Sequence, residues 1–326
     1  MVELGFSLSS EEHGPRELVR QAIRAEEAGF SFALISDHYL PWLDQQGQSP
    51  FVWATLGAIA HATRRLRVGT GVTCPLIRIH PAIVAQAAAT TQEMFEGRFF
   101  LGLGTGENLN EHIVGDRWPR PSVRAAMLEE AIELIRHLWE GGVRSYDGAY
   151  YEVDRARIYT LPQPLPQIYV AAVGENSAEL AGRIADGLIS VAPMAGTVEA
   201  FVREGGDSKP RYGQMTVCWA PSEQAGTETL MKWWPILGIG GDLNDELPTP
   251  RDFESAVSTV RPEDVTSRAA VGPDPERHLA RIRKYMDAGY DHIYVHQVGP
   301  DQEGFLSFYA KEILPQLSSL DSRGSV

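Results

Sequence analysis

Apolar runs of strand length alternate with helix-like segments along nearly the whole chain, and this alternation is the strongest constraint on its fold. Runs without a polar face are typical of strands buried on both sides, as in a parallel sheet covered by helices. Eight such strands, with helices between them, favour a closed (β/α)8 TIM barrel of the α/β class over an open doubly wound sheet. The strand-like runs cover residues 2–8, 32–35, 66–73, 99–103, 168–173, 188–192, 215–220 and 293–298.

Composition does not change along the chain and no fixed repeat is visible, so we expect a single domain over residues 1–326. We expect two insertions into the barrel, after its fourth and its seventh strand. The stretch 141–167 predicts a hairpin that turns at Asp147-Gly148. The stretch 222–268 contains several prolines and a Gly-Gly pair, which predicts an irregular excursion.

The charge balance limits the partners that the chain can bind. It has 29 basic and 43 acidic residues, a formal net charge of −14, and no basic stripe that would meet nucleic acid or an anionic membrane. An anionic cofactor remains compatible, because backbone N–H groups can hold phosphate groups locally. We therefore expect a small-molecule substrate, no nucleic-acid partner and no membrane partner.

Cysteine use and the N-terminal residues indicate a cytoplasmic protein. Cys74 and Cys218 stand in apolar, strand-like surroundings, which predicts reduced core residues rather than a disulfide framework. The first six residues lack the basic and then apolar pattern of an export signal. No apolar run approaches the roughly 18 residues that a membrane span needs.

The residues after the second strand carry the types of side chain that do chemistry. Asp37, His38 and Trp42 follow the buried run 32–35, and Pro41 prevents simple continuation of a strand or a helix. Alternatively, Asp37 caps a local turn and His38 is a satisfied surface group.

The same pattern recurs at other strands, which favours a ligand site. Polar and glycine residues follow several of the predicted strands, and in a (β/α)8 barrel these strand ends form the working face. The positions concerned are Ser9 to Glu11, Asp37-His38, Thr70 to Thr73, Thr105 to Glu107, Gly174 and His296-Gln297.

Two familiar kinds of site are not supported by the sequence. Gly102-Leu-Gly-Thr-Gly106 continues with Glu107 instead of a glycine, so the dinucleotide fingerprint is not met. The glycines could let a flat ligand approach the backbone, or could serve tight packing at the barrel rim. His292 and His296 are about 13 Å apart along a strand, too far for one ion, so we expect no metal.

Several longer motifs carry a family resemblance. Taken together, they resemble the bacterial luciferase-like superfamily, and within it the deazaflavin-dependent branch that contains the F420-dependent glucose-6-phosphate dehydrogenases. The motifs are Ser-Asp-His-Tyr-Leu-Pro-Trp (36–42), Gly-Thr-Gly-Val-Thr-Cys-Pro (69–75), His-Pro-Ala-Ile-Val-Ala-Gln (80–86), Gly-Leu-Gly-Thr-Gly-Glu-Asn-Leu-Asn-Glu (102–111), Tyr-Asp-Gly-Ala-Tyr-Tyr (146–151), Ala-Gly-Arg-Ile-Ala-Asp-Gly (181–187) and Gly-Pro-Asp-Pro-Glu (272–276).

The resemblance implies an F420-dependent oxidoreductase that transfers a hydride, with coenzyme F420 held at the strand ends. By this resemblance His38 matches the proposed base, Trp42 packs beside it, and Glu107 matches the acid proposed to protonate the cofactor ring. A non-proline cis peptide is expected at Gly71-Val72. The implied cofactor-binding residues are Asp37, Thr70, Gly71, Val72, Thr73, Thr105, Gly106, Asn110, Val173 and Gly174.

The sequence departs from the sugar-phosphate enzymes at the substrate phosphate. Their two lysines fall near Met194 and Asn244 here, while Arg268 keeps the arginine. Glu11 and Arg268 are the expected substrate-binding residues. A phosphate dianion facing one cation loses charge-assisted hydrogen bonds of about 1.5–3 kcal/mol each, so we expect an alcohol, ketone or activated alkene rather than glucose 6-phosphate.

Two other functions stay open at this point. One is a flavin mononucleotide (FMN) monooxygenase of the same superfamily, and the other is an F420-binding or carrier protein without chemistry of its own. The family likeness also implies a homodimer.

Overall fold

A computed structural model describes residues 2–241 and 243–317. Residues 1, 242 and 318–326, which the predicted domain 1–326 includes, lie outside the described part. Eight parallel strands form a closed barrel in chain order, which confirms the predicted fold class. The strands are β1 (Glu3–Leu8), β2 (Phe32–Ile35), β3 (Arg67–Thr70), β4 (Phe99–Leu103), β5 (Arg144–Asp147), β6 (Glu152–Ala156), β7 (Gln167–Ala171), β8 (Gly187–Ser190), β9 (Arg211–Cys218), β10 (Ala270–Val271) and β11 (His292–Gln297).

Pairing between β8 and β9 and between β11 and β1 closes the barrel. The strands β5 and β6 form a separate antiparallel hairpin, as predicted for the stretch 141–167. The short strand β10 extends the sheet on the outside, where it pairs with the end of β9. All barrel strands therefore point the same way, and their C-terminal ends meet at one face.

Helices cover the outside of the barrel, and the sequence marks where several of them begin and end. Proline at the first position starts α1 and α3, where its missing N–H has no cost. Gly29 ends α1 in the left-handed conformation, with φ of 104°. The helices are α1 (Pro15–Ala28), α2 (Val52–Ala62), α3 (Pro81–Met94), α4 (Asn108–Glu111), α5 (Pro121–Trp139), α6 (Glu175–Ile184), α7 (Ala195–Phe201), α8 (Glu223–Trp233), α9 (Leu243–Glu246), α10 (Pro250–Val257), α11 (Pro262–Thr266), α12 (Pro275–Asp287) and α13 (Gln302–Phe308).

The prediction of an irregular excursion over 222–268 is wrong, because the helices α8 to α11 occupy most of it. The side chains of Ser222 and Thr249 accept hydrogen bonds from backbone N–H groups in the first turns of α8 and α10. A buried apolar cluster packs this region against the segments that follow β2 and β4. Its members are Leu43, Leu109, Ile236, Ile239 and Phe253, with Trp42 and Trp234 at its edge.

An aromatic layer fills the inside of the barrel. The rings of Phe100, Tyr169 and Tyr212 have centroids 5.0 to 5.3 Å apart. Gly69 makes room for them, since a Cβ atom there would lie 2.0 Å from the ring of Phe100. Val72, just beyond β3, packs on this layer.

The Gly69→Ala variant tests this packing. The added methyl group has to displace Phe100, which its aromatic neighbours hold in place, so we expect the free energy of unfolding to fall by about 1–3 kcal/mol. Gly240→Ala is the matched control, because no heavy atom of the described residues lies within 4 Å of a Cβ atom there. Urea unfolding measures both, and the control is expected to stay within about 0.5 kcal/mol of the parent. Equal stability of the two variants would contradict this account of the core.

Candidate active site

An acid and an imidazole join the segments that follow β1 and β2. The Nε2 atom of His38 lies 3.3 Å from Oε1 of Glu11, and both side chains are largely buried. The hydroxyl group of Ser36 donates to the other carboxyl oxygen of Glu11 at 2.7 Å. Burial alone would raise the pKa of Glu11, but the charge of His38 and the hydrogen bond from Ser36 outweigh it and hold that pKa below its ordinary value. Glu11 is thus a carboxylate aimed at His38.

The second ring nitrogen of His38 is within reach of both an acceptor and a donor. Its Nδ1 atom lies 3.1 Å from the carbonyl oxygen of Leu40 and 3.2 Å from the side-chain amide nitrogen of Asn110. The ring can therefore be held with or without a proton on Nδ1. The indole of Trp42 packs against it, with ring centroids 5.0 Å apart. The structure thus brings Trp42 and His38 together, as the sequence suggested.

Asn110 connects His38 to Glu107. Its side-chain oxygen accepts the backbone N–H groups of Tyr39 and Leu40 at 2.8 and 3.2 Å, which fixes the loop after β2. Its amide nitrogen donates to Oε2 of Glu107 at 3.2 Å. Glu107 is half-buried and directly precedes α4. His38 and Glu107 therefore share one network of contacts with Asn110 as the central residue, and the link from Asn110 to His38 is a hydrogen bond when Nδ1 carries no proton.

Asp37 is buried and belongs to a second network. Its two carboxyl oxygens accept hydrogen bonds from the hydroxyl group of Thr73 at 2.8 Å and from Nη2 of Arg78 at 3.0 Å. The guanidinium group of Arg78 also faces Glu111, with Nε 3.4 Å from Oε1. Burial raises the pKa of Glu111. Burial alone would lower the pKa of Arg78, but the carboxyl groups of Asp37 and Glu111 outweigh it and raise that pKa above its ordinary value.

The segment between β3 and α3 carries the expected cis peptide, at Gly71-Val72. The hydroxyl group of Thr70 donates to the carbonyl oxygen of Gly102 at 2.7 Å, which ties this segment to β4. Val72 is half-buried and packs on the aromatic layer inside the barrel. Its side chain therefore forms part of the floor of the site.

The glycines of the 102–106 motif are explained by packing. A Cβ atom at Gly102 would lie 1.9 Å from the carbonyl oxygen of Thr70, and one at Gly104 would lie 2.7 Å from Val72. Gly106 has φ of 72° and would meet the sulfur atom of Cys74 at 2.5 Å. Of the two interpretations of these glycines, the structure favours tight packing at the barrel rim.

The other expected cofactor residues are more exposed to solvent. Thr105 is half-buried between Gly104 and Gly106. Val173 is 58% exposed after β7, and no heavy atom lies within 4 Å of a Cβ atom at Gly174. Gly174 directly precedes α6. Because β7 pairs with β4, the segments that follow these two strands are neighbours.

Arg268, which the sequence singles out with Glu11 as a substrate-binding residue, binds backbone carbonyl groups. Its guanidinium group donates to the carbonyl oxygens of Leu237 and Ile239 at 2.8 and 3.1 Å. Arg268 thus supports the backbone of the 222–268 region. Met194, near which a family lysine is expected, is 37% exposed at the start of α7.

Sequence reasoning missed three groups of this site. Arg78 and Glu111 were not identified, although a single charge in the apolar stretch Cys-Pro-Leu-Ile-Arg-Ile is a signal that could have found Arg78. Glu12 was also missed. It pairs with His296 at 2.9 Å, and Trp234 packs edge-on against this imidazole with centroids 4.4 Å apart.

Across residues 2–241 and 243–317, no cluster of three or more His, Cys, Asp or Glu side chains has the geometry to hold a metal ion. Among the helices of this described part, none has the length and apolar character to cross a membrane.

In (β/α)8-barrel enzymes the active site lies at the C-terminal ends of the strands, and here an imidazole and buried carboxyl groups occupy that face. The chain belongs to the luciferase-like monooxygenase family, whose sequence profile matches residues 2–292.

Among its relatives, the F420-dependent glucose-6-phosphate dehydrogenase of Nakamurella multipartita is 37% identical over 336 residues, covering 99% of this chain and 98% of the relative. The enzyme of the same name from Nocardia farcinica is 36% identical, covering 98% of this chain and 99% of the relative.

Solved structures also resemble the chain. An F420-dependent secondary alcohol dehydrogenase in complex with an F420-acetone adduct superposes with a TM-score of 0.90 at 29% identity, covering 96% of this chain and 98% of that one. The coenzyme F420-dependent tetrahydromethanopterin reductase of Methanopyrus kandleri has a TM-score of 0.79 at 21% identity, covering 97% and 99%. The second likeness shows the fold alone.

The Glu11→Gln variant tests the charge arrangement around His38. A carboxyl group whose pKa is lower in the folded than in the unfolded protein stabilises the fold at pH values above its unfolded pKa. This contribution is lost as the pH falls through the folded pKa. We therefore expect the parent to have a higher free energy of unfolding than Glu11→Gln at about pH 7. At about pH 3.5 this difference is expected to be smaller. Urea unfolding at both pH values measures this double difference. A difference that grows on acidification would contradict the assignment.

Proposed function

We propose that this protein is an F420-dependent oxidoreductase that transfers a hydride directly between coenzyme F420 and an alcohol or carbonyl compound other than glucose 6-phosphate. The observation that carries the proposal is the contact of Asn110 with both His38 and Glu107. Hydride transfer from an alcohol, or to the corresponding carbonyl compound, needs one group for the hydroxyl proton and another for the proton of the cofactor. An imidazole and a carboxyl group in one network can serve these two needs.

The residues present fit coenzyme F420. Each carboxyl oxygen of Asp37 accepts one hydrogen bond and keeps further acceptor capacity, so the side chain can also bind an N–H or O–H group of a ligand. The half-buried Val72 gives a flat heterocycle an apolar support. Thr73, Thr105, Gly106 and the Val173-Gly174 turn complete the proposed cofactor site. When bound, the deazaflavin supplies the carbon that accepts or gives the hydride.

His38 is the proposed base. With its Nδ1–H donated to the carbonyl oxygen of Leu40, the Nε2 atom has a lone pair that can take the proton of a substrate hydroxyl group. In this state the amide nitrogen of Asn110 contacts Nδ1 without a hydrogen bond. The imidazolium formed would face the carboxylate of Glu11 at 3.3 Å, which stabilises its charge. Glu11 therefore contributes most after the proton has moved, and Trp42 limits the positions that His38 can take.

Glu107 is the proposed acid on the cofactor side. The amide N–H of Asn110 holds Oε2, so the carboxyl group can exchange a proton through its other oxygen. Its half-buried position at the start of α4 keeps it within reach of a ligand.

The charges around the site support a substrate without a phosphate group. Most of the charged side chains described at the site are carboxyl groups. The guanidinium group of Arg78 is already paired with Asp37 and Glu111. Arg268 is engaged with backbone carbonyl groups. Met194 offers an apolar surface at the position near which the sugar-phosphate enzymes have a lysine. Support for an alcohol comes also from the secondary alcohol dehydrogenase with its F420-acetone adduct.

An FMN-dependent monooxygenase is the second candidate, and membership of the luciferase-like monooxygenase family favours it. Such an enzyme requires oxygen and reduced flavin, whereas the proposed reaction requires neither. A homodimer in the cytoplasm remains part of the proposal and rests on the family likeness and on the sequence.

Titration with F420, followed by its fluorescence, is the first test of this function. We expect binding in the micromolar range, oxidation of small secondary alcohols with reduction of F420, and far slower turnover of glucose 6-phosphate. His38→Ala and Glu107→Gln are expected to lower kcat/KM by at least about 100-fold, because each removes a proton-transfer group. Absence of F420 binding, or an oxygenated product with reduced FMN, would contradict the proposal.

Asn110→Asp tests the connection between the two groups. Aspartate keeps an acceptor for the N–H groups of Tyr39 and Leu40 but removes the amide donor and places a second carboxyl group beside Glu107. We expect kcat to fall about tenfold or more. Asn108→Asp is the control on the same helix, because Asn108 donates to the carbonyl oxygen of Glu246 instead. Equal kcat values for the two variants would show that the connection is unimportant.

A further inference from the structure

Arg78 stands between the two halves of the candidate site. Its side chain is 7% exposed and contacts Asp37 (1% exposed) and Glu111 (0% exposed). Asp37 belongs to the loop that follows β2, whereas Glu111 is the last residue of α4. One buried guanidinium group therefore spans two elements that have no covalent connection near the site.

The backbone around Arg78 strengthens this bridge. Nη2 of Arg78 donates to the backbone oxygen of Asp37 at 3.2 Å as well as to its carboxyl group at 3.0 Å. The backbone N–H of Arg78 donates to Oε2 of Glu111 at 2.8 Å. The position of Asp37 is thus set through both its main chain and its side chain.

The bridge controls groups beyond the pair that it touches. His38 directly follows Asp37, and Glu111 directly follows Asn110. A shift of either element would change the distances from Asn110 to His38 and to Glu107, which are both 3.2 Å. Because an isolated buried charge is unfavourable, loss of the guanidinium group would leave two carboxyl groups that must move, take up protons or bind water.

We propose that Arg78 is a positioning residue for the reaction. It holds Asp37 in place for the cofactor and sets α4, with Glu107 and Asn110, against His38. The inference rests on the proposed function, because it takes Asp37 as a residue that contacts F420. It also requires an arginine, since lysine is a point charge that cannot form the planar fork that reaches both carboxyl groups.

Arg78→Lys and Arg78→Met test the inference, with Arg211→Met as the matched control. Arg211 makes a similar pair with Asp291, at 3.0 and 3.1 Å, but at the opposite end of the barrel. The readouts are melting temperature, Kd for F420, kcat, and KM for a secondary alcohol. All are measured on the full-length protein.

We expect Arg78→Met to raise Kd for F420 and to lower kcat by about tenfold or more each. Arg78→Lys is expected to recover part of the F420 affinity but less of kcat, because it restores the charge and not the bridge. Arg211→Met is expected to lower the melting temperature while Kd and kcat stay within about twofold of the parent. If Arg78→Met does not fold, the comparison of Arg78→Lys with the parent decides.

Variants of Arg78 that bind F420 and turn over within about twofold of the parent would overturn the inference. So would activity that falls only in proportion to the melting temperature, as in the control. If the parent itself does not bind F420, the proposed function fails first and the inference with it. If the parent binds F420 and both Arg78 variants match it, the inference alone fails.

Discussion

Carboxyl groups buried at the ends of the barrel strands need partners, and this requirement organises the site. Glu11, Asp37 and Glu111 are almost completely buried. A carboxylate without a partner in such surroundings is strongly unfavourable, so each one is held by an imidazole, a hydroxyl group or a guanidinium group. The resulting contacts join the segments after β1, β2 and β4 into one unit. The chemistry proposed for His38 and Glu107 depends on the rigidity of that unit.

The barrel explains why these residues meet although they are far apart in the sequence. The strands β1, β2, β3 and β4 are neighbours in parallel register, so the segments that follow them converge at one face. The aromatic layer closes the barrel beneath, and the helices of the 222–268 region close one side through the cluster around Phe253. Short polar segments on a rigid frame are suited to hold reacting groups within a fraction of an ångström.

Much of the frame was predictable from local sequence. The strand runs, the proline-initiated helices and the hairpin at Asp147-Gly148 are encoded by short patterns, and the structure has them. The helices over 222–268 were missed, because the prolines and glycines of this stretch suggested an irregular chain. Ser222 and Thr249, which cap two of these helices, were the local signals that pointed the other way. The glycines at 102, 104 and 106 could not be interpreted from sequence alone, since the atoms that fill their places belong to other segments.

Several residues of the candidate site stand out in the sequence, but the contacts between them do not. Position after a strand was enough to single out Asp37, His38 and Glu107. The role of Asn110 as the central residue, and the bridge made by Arg78, are contacts between segments that no local pattern specifies. The assigned roles of the individual residues remain proposals that rest on this geometry and on the family likeness.

A crystal structure of the protein with coenzyme F420 bound tests the central claim most directly. The account predicts that the deazaflavin ring lies on Val72 at the C-terminal face, with Asp37 in contact with it and with His38 and Glu107 facing the same cavity. A ring bound elsewhere, or an imidazole and a carboxyl group that open onto separate cavities, would contradict it.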